Sequence, residues 1–329
     1  MGKVKEKVLS ASRLKTLETC SWSYWCNYSL RLPQKQNEGA LRGTLCHLIF
    51  ELLLKKKHKK HYDEILLNNN VYFEGPIRRL IFKHLNKMEN DYDLPLTNDE
   101  NTELINKMIL IGLKTDFFGE GGQVTNPELE FLLEKEDPKY KIRGFIDKPI
   151  LYEKEKKVKI VDYKSSKYKF RGEELKSNVQ AMTYTLAAIE KWPDYEPSAE
   201  FLFLRFPRSP LQKLKFSKSE LAGFEHYLSH AYKAINNYSE EDAKSNYAAD
   251  NKNSWMCKIN KWRCPYLDAY DYYVEEDKKG NQVKASLKKE IIQKNLKEGN
   301  VLKKKRYDGC PRHKNQKKQE SIFDDDFFN

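Results

Sequence analysis

The stretch KIRGFIDKPILYEKEKKVKIVDYKSS, residues 141–166, decides how this chain is read. Lys141–Tyr152 and Val158–Ser165 carry strand-like apolar runs, and the charged residues Glu153 to Lys157 between them make a turn. With that turn centred on Lys154-Glu155, paired residues have numbers summing to 309, which sets Asp147 opposite Asp162. Directly opposed residues share one face of a sheet, and Lys164, two residues beyond Asp162, shares it too. Two carboxylates and an ammonium therefore converge on one strand pair. A one-residue slip would scatter them to opposite faces, so the inference rests on the turn.

Burying two carboxylates together costs several kcal/mol unless something positive neutralises them. A divalent cation does so, and hard oxygen ligands select Mg2+ or Mn2+ over zinc. Such an ion activates water and polarises a phosphoryl oxygen, while Lys164 orients the nucleophile or steadies developing charge. An isolated Asp-x-Lys is more often an exposed ion pair of little consequence. Here Ile160-Val161 precedes the tripeptide and argues for a buried strand.

Outward from the hairpin, Gly43–Leu54 carries a helical stripe (Leu45, Leu48, Ile49, Leu52, Leu53) that runs into the basic cluster Lys55–Lys60. Residues 76–118 continue the helical pattern. After the hairpin, Glu173–Lys191 reads as a helix, Ala199–Phe206 and Leu211–Phe216 as short strands, and Ser219–Asn237 as another helix. The order describes an α/β or α+β core with helical flanks. Beyond 238 the pattern weakens. The expected divisions are a helical part over 1–125, a core over 126–238, a Cys- and Lys-rich extension over 239–313, and a flexible tail over 314–329.

The chain has 329 residues, with 60 Lys+Arg against 48 Asp+Glu, a net charge of +12 that favours a polyanionic partner. Most of the excess is local: residues 284–318 hold 13 Lys+Arg and 3 Asp+Glu. No apolar run is long enough to span a bilayer, and no secretory leader pattern is visible. Six cysteines are too few for a disulfide scaffold. The expectation is an intracellular, cytoplasmic protein with reduced thiols and no membrane partner. Trp22, Tyr24, Trp25 and Tyr28 suit either base stacking or core packing.

Several motifs together resemble a known family. Gly144-Phe145-Ile146-Asp147, then Ile160-Val161-Asp162-Tyr163-Lys164-Ser165, then Gln180 with Tyr184 resemble the PD-(D/E)XK nuclease superfamily. Gly43-Thr44-Leu45-Cys46-His47 and the opening Leu9–Leu14 narrow the resemblance to its RecB-like branch, which includes the CRISPR-adaptation exonucleases. The likeness covers about residues 8–270. It implies a restriction-endonuclease-like mixed sheet flanked by helices, with helical N-terminal and Cys/Lys-rich C-terminal extensions. It also implies that Asp147 and Asp162 are metal carboxylates, Lys164 the catalytic lysine, His47 a further metal ligand, and Gln180 and Tyr184 a supporting, DNA-contacting pair. Glu130 is a further acidic candidate, and Glu128 fits nearly as well.

Many members of the branch hold a four-iron cluster on one early and three late cysteines. Cys20, Cys257, Cys264 and Cys310 match that order, but the last three are spread more widely than in the family. Zinc on Cys257, Cys264, Cys310 and His313 is a second reading, and packing thiols beside Trp255 and Trp262 a third. The final residues, with Ile322, Phe323, Phe327 and Phe328 among acids, resemble clamp-binding peptides of phage DNA polymerases and the tails of single-strand-binding proteins.

The expectation is a Mg2+- or Mn2+-dependent exonuclease acting at single- or double-stranded DNA ends in replication, recombination or repair, phage-encoded and working in an infected bacterium. Its tail would dock on a sliding clamp or a single-strand-binding protein. An endonuclease with the same site, and a non-catalytic DNA-binding factor recruited to such a partner, are the alternatives.

Overall fold

In the computed structural model, which describes residues 6–259 and 262–313, asparagines open three of the main helices. After α1 (Ala11–Thr19) and α2 (Ser21–Tyr24), the Asn37 side chain accepts from the Ala40 amide and starts α3 (Glu38–Leu54). Next come α4 (Lys59–Asn68) and α5 (Gly75–Tyr92), and Asn98 caps α6 (Asp99–Lys114) in the same way. Five strands follow: β1 (Gln123–Val124), β2 (Leu129–Glu136), β3 (Lys139–Ile146), β4 (Lys148–Tyr152) and β5 (Lys157–Lys164). Asn178 caps α7 (Val179–Lys191), which leads to β6 (Glu196–Phe203), β7 (Leu211–Leu214) and α8 (Lys218–Asn236). The remainder holds α9 (Glu240–Ala243), β8 (Lys258–Ile259), β9 (Trp262–Arg263), β10 (Tyr270–Glu276), β11 (Gln282–Ser286), α10 (Lys289–Lys294) and β12 (Val301–Tyr307).

Contacts divide the chain into two units, residues up to Ala11 with Gln36–Asn236, and Ser12–Lys35 with the residues from Asn237 on. The first contains a five-stranded sheet of order β1-β4-β5-β6-β7. All neighbours are antiparallel except β5 and β6, whose parallel pairing requires the crossover that α7 provides. Both faces are covered. Leu202 and Leu204 join Val161, Tyr163 and Ile150 under Leu45, Ile49 and Leu53 of α3 and Ile105 and Ile109 of α6. Phe201 and Phe203 point the other way, against Ala181 and Leu214. This helix-covered mixed sheet is the restriction-endonuclease-like arrangement.

Three differences from the sequence reading have physical causes. Lys141–Tyr152 is not one strand: β3 pairs with β2 (Leu129↔Ile146) and β4 with β5 (Lys148↔Val161), and the chain bends at Asp147 to pass from one ladder to the other. The helix expected from Glu173 begins at Val179, because Gly172 has φ 54° and Asn178 supplies the cap. Beyond 238 lies a three-stranded sheet of order β11-β10-β12, hidden from pattern reading because its strands carry charges that pair across the ladder. The divisions drawn from composition cut across the two units. Helices α3 to α6 share one apolar core with the sheet, and residues 12–35 group with the C-terminal part.

In the second unit, Trp22, Cys26, Tyr266, Tyr272, Val274 and Tyr307 form the core. Trp22 and Tyr24 are buried, and the Trp22 indole donates to the Tyr307 hydroxyl at 2.8 Å, so these two rings pack rather than stack bases. On β12, Lys303 and Lys305 both pair with Glu276, and Lys304 and Arg306 with Asp271. Among the described residues, no helix is long and apolar enough to cross a membrane. Ile322, Phe323, Phe327 and Phe328 lie outside the described residues.

Candidate active site

The pairing of β4 with β5 follows the register in which residue numbers sum to 309, so Asp147 and Asp162 meet at the end of that ladder. Asp147 sits at the bend rather than within a strand, and its Oδ2 accepts from the Tyr163 amide at 2.9 Å. The bend also admits a third carboxylate. Glu128, just before β2, adopts φ 53° and donates its amide to the Asp147 carbonyl at 3.0 Å.

Helix α3 brings the imidazole. Gly43 faces Ser165, where an added Cβ would fall 2.7 Å from the Ser165 hydroxyl, so a glycine lets the helix approach the end of β5 this closely. One turn on, His47 donates from Nε2 to the Tyr163 carbonyl at 3.0 Å. That hydrogen bond leaves Nδ1 facing Asp147 Oδ2 at 3.3 Å and Glu128 Oε1 at 3.8 Å. It selects the tautomer that a metal-binding histidine needs.

His47, Glu128 and Asp147 offer ligand atoms that all lie within 4.8 Å of one another, the one such group of three among the described residues. An imidazole nitrogen with two carboxylates suits a divalent cation. The electrostatics point the same way. Burial, then the neighbouring Asp162 charge, pushes the Asp147 carboxyl up to about 6. Burial opposes a charge on His47, but Asp147 and Glu128 outweigh it and hold the imidazole up to about 10. Negative charge is in excess here, and a proton on His47 partly offsets it.

Asp162 is buried beside this group, with Oδ1 hydrogen-bonded and Oδ2 accepting no hydrogen bond. Oδ1 accepts from Gln180 Nε2 at 2.8 Å and from the Tyr184 hydroxyl at 2.9 Å, and Oδ2 lies 2.6 Å from Lys164 Nζ. Lys164 also donates to Gln180 Oε1 at 2.6 Å. Gln180 and Tyr184 stand one turn apart on α7, which is why they reach the same carboxylate. Glu130 pairs with Phe145 on the exposed side of the β2–β3 hairpin and stands apart from this cluster. Glu128 takes the place considered for it, and no sequence periodicity signals the left-handed turn that delivers its side chain. Lys148, adjacent to Asp147, is fully buried, and nothing in the sequence pattern singles it out. It donates to the carbonyls of Asp116 at 2.9 Å and Phe117 at 3.3 Å, and burial pulls its ammonium down to about 8.

All the cysteines but Cys46 lie in the second unit. Burial raises the Cys264 thiol to about 12, and Cys20, Cys257 and Cys310 lie near enough to add to that shift. Cys264 accepts from the Tyr266 amide, and Cys310 from the amides of His313 and Arg312. These backbone N–H groups offset only part of the burial, which keeps both thiols protonated.

A buried, carboxylate-rich pocket with a lysine ion-paired to one acid, at the end of a mixed sheet, is a nuclease-type arrangement. The PD-(D/E)XK nuclease superfamily matches residues 8–269, and the chain belongs to it. It is 24% identical over 294 residues to an ATP-dependent helicase/deoxyribonuclease component of Carboxydothermus hydrogenoformans, a match covering 80% of this chain and 26% of that protein. The chain therefore spans about a quarter of that relative's length. A solved Eubacterium rectale protein described as a candidate exonuclease is similar at 8% identity and a TM-score of 0.48, over 77% of this chain and 89% of that one.

Proposed function

We propose that this chain is a metal-dependent DNA exonuclease that hydrolyses phosphodiester bonds at DNA ends. The observation that carries the proposal is the convergence of His47, Glu128 and Asp147 beside the Asp162–Lys164 pair. His47, Asp147 and Asp162 would hold Mg2+ or Mn2+, with Glu128 as a further ligand. Such an ion, when bound, lowers the pKa of a water and polarises a phosphoryl oxygen.

The chain's own residues do the rest. Asp162 and Gln180 hold the Lys164 ammonium, a donor for charge developing on the scissile phosphate. Tyr184 and Gln180 keep Asp162 from rotating. The Tyr163 carbonyl keeps His47 Nδ1 turned inward, toward the buried Asp147. DNA as substrate is supported by the family and by the deoxyribonuclease relative. Action at ends rests on the RecB-like resemblance. Digestion of end-labelled linear DNA with Mg2+ or Mn2+, blocked by EDTA, is the expected result. Cleavage of closed circular DNA would instead make it an endonuclease, and inert DNA with either metal would leave a non-catalytic binding factor.

Cys20, Cys257, Cys264 and Cys310 are proposed to hold a four-iron cluster. Their order, one early and three late cysteines, matches the family's and supports this reading, with zinc on Cys257, Cys264, Cys310 and His313 and plain packing thiols as the alternatives. A visible absorption band lost in Cys264→Ser is expected; stoichiometric zinc without colour would refute it. A role in replication or recombination, a phage origin and a cytoplasmic site of action rest on the resemblances alone. So does docking of the tail on a clamp or single-strand-binding protein, which deletion of residues 321–329 should abolish without loss of nuclease activity.

A further inference from the structure

The loop between β5 and α7 presents an aromatic ring to solvent at the edge of the candidate site. Tyr168 is 71% exposed, among the most exposed large side chains described, and stands four residues after Lys164. Four residues reach at most about 14 Å, so the ring lies within a few nucleotides' length of the reacting group.

The loop is pinned on the C-terminal side of that ring. Lys169 donates to the Ser209 carbonyl and, at 3.0 Å, to the Ser209 hydroxyl. The Phe170 ring packs on Phe201 and Phe203 with centroids 4.7 and 5.4 Å away. The Gln212 amide bonds both the amide and the carbonyl of Phe170, at 3.2 and 3.1 Å. Closer to the tip, the Ser166 hydroxyl donates to the Tyr168 carbonyl at 2.7 Å. The loop thus packs one partly buried aromatic as an anchor and holds the other outward. Cations flank the outward ring: Lys167 is exposed beside it, and the Arg171 guanidinium lies 5.9 Å from its centroid.

We propose that Tyr168 is a stacking platform for an unpaired base, so that the substrate is single-stranded DNA or a frayed end, with Lys167 and Arg171 on the flanking phosphates. This rests on the nuclease reading for the identity of the polymer. An aromatic face in a cationic setting binds single strands with little sequence preference, because every base offers a π-face. A paired base within a duplex offers none, so the platform selects unpaired ends.

The test separates stacking from both charge and catalysis. Binding of fluorescent oligo(dT), and of an abasic strand with the same phosphates, is measured in EDTA for the full chain. The wild type should bind oligo(dT) roughly ten- to a hundredfold more tightly than the abasic strand. Tyr168→Ala should erase most of that difference while leaving the abasic affinity and the melting temperature unchanged, and Tyr168→Trp should keep it. Lys167→Ala should weaken both strands alike and flatten the salt dependence. A difference that survives Tyr168→Ala, equal weakening of both strands by it, or a wild type that binds both equally or neither, overturns the proposal. None of these readouts requires cleavage, so hydrolysis of DNA by the wild type with Mg2+ or Mn2+ judges the nuclease reading separately.

Discussion

Two clusters of this molecule are built from the same parts and behave in opposite ways. On β10 and β12 of the second unit, Glu276 meets Lys303 and Lys305, and those cations hold its carboxyl below the usual carboxylate range. At the bend between β3 and β4 of the first unit, Asp147 meets Asp162, Glu128 and His47, and burial with a like charge pushes its carboxyl up to about 6. Both are acidic side chains on the margins of a sheet with basic neighbours. What separates them is stoichiometry. Two lysines saturate one glutamate, whereas three carboxylates share one lysine and one imidazole. A surplus of buried negative charge is what a divalent cation satisfies, and a balanced pair leaves it nothing to do.

The comparison can be broken most decisively at Asp162 and Lys164. Either alanine substitution should lower hydrolysis of end-labelled DNA by about a thousandfold or more while the melting temperature stays within a few degrees. Retained activity would remove both residues from the catalytic centre.

Lys148 offers a third arrangement, a buried cation satisfied by carbonyls rather than by a carboxylate. Its folded pKa of about 8 lies below the ordinary 10.5, so at this residue the unfolded chain binds more protons between those values, and its contribution to stability rises with pH there. The gain is about 3 kcal/mol. Buried thiols such as Cys46 and Cys264, raised from 9 to about 12, act in the opposite sense over part of that range, so the gain is read as the difference between wild type and Lys148→Met in chemical denaturation across it.

Glu128 and Glu130 sharpen the site's boundary. Glu128→Ala should raise the Mn2+ concentration needed for half-maximal activity by roughly ten- to a hundredfold, whereas Glu130→Ala should change it less than about twofold, since its side chain faces solvent. The smallest effect belongs to the balanced cluster. Lys303→Ala should leave nuclease activity unchanged and cost under about 1 kcal/mol in thermal unfolding, because Lys303 is half-exposed and Lys305 still pairs with Glu276.

Much of this site was legible because it is local. The register of β4 on β5 follows from the charged turn at Glu153–Lys157, and with it the meeting of Asp147 and Asp162. The i, i+4 spacing of Gln180 and Tyr184 placed both on one helix face, and both reach Asp162. Other features could not be read. The break at Asp147 arises because β3 finds its partner in β2, and Glu128 enters through a left-handed residue at the start of that strand. Neither leaves a periodic trace. The β12 cations suggested a phosphate-binding strip, and only the ladder with β10 revealed Asp271 and Glu276 facing them.

The sequence by itself determined most helices of the first unit, the hairpin register and the set of polar residues from which a site could be made, because periods of 2 and 3.6 and turn chemistry act over a few residues. Tertiary structure alone decided which of those charges are balanced. His47 reaches Asp147 across a hundred residues through the close approach at Gly43, and Glu276 is neutralised by a strand far along the chain. Charge balance depends on distance in space, and distance in space between remote segments is set by packing.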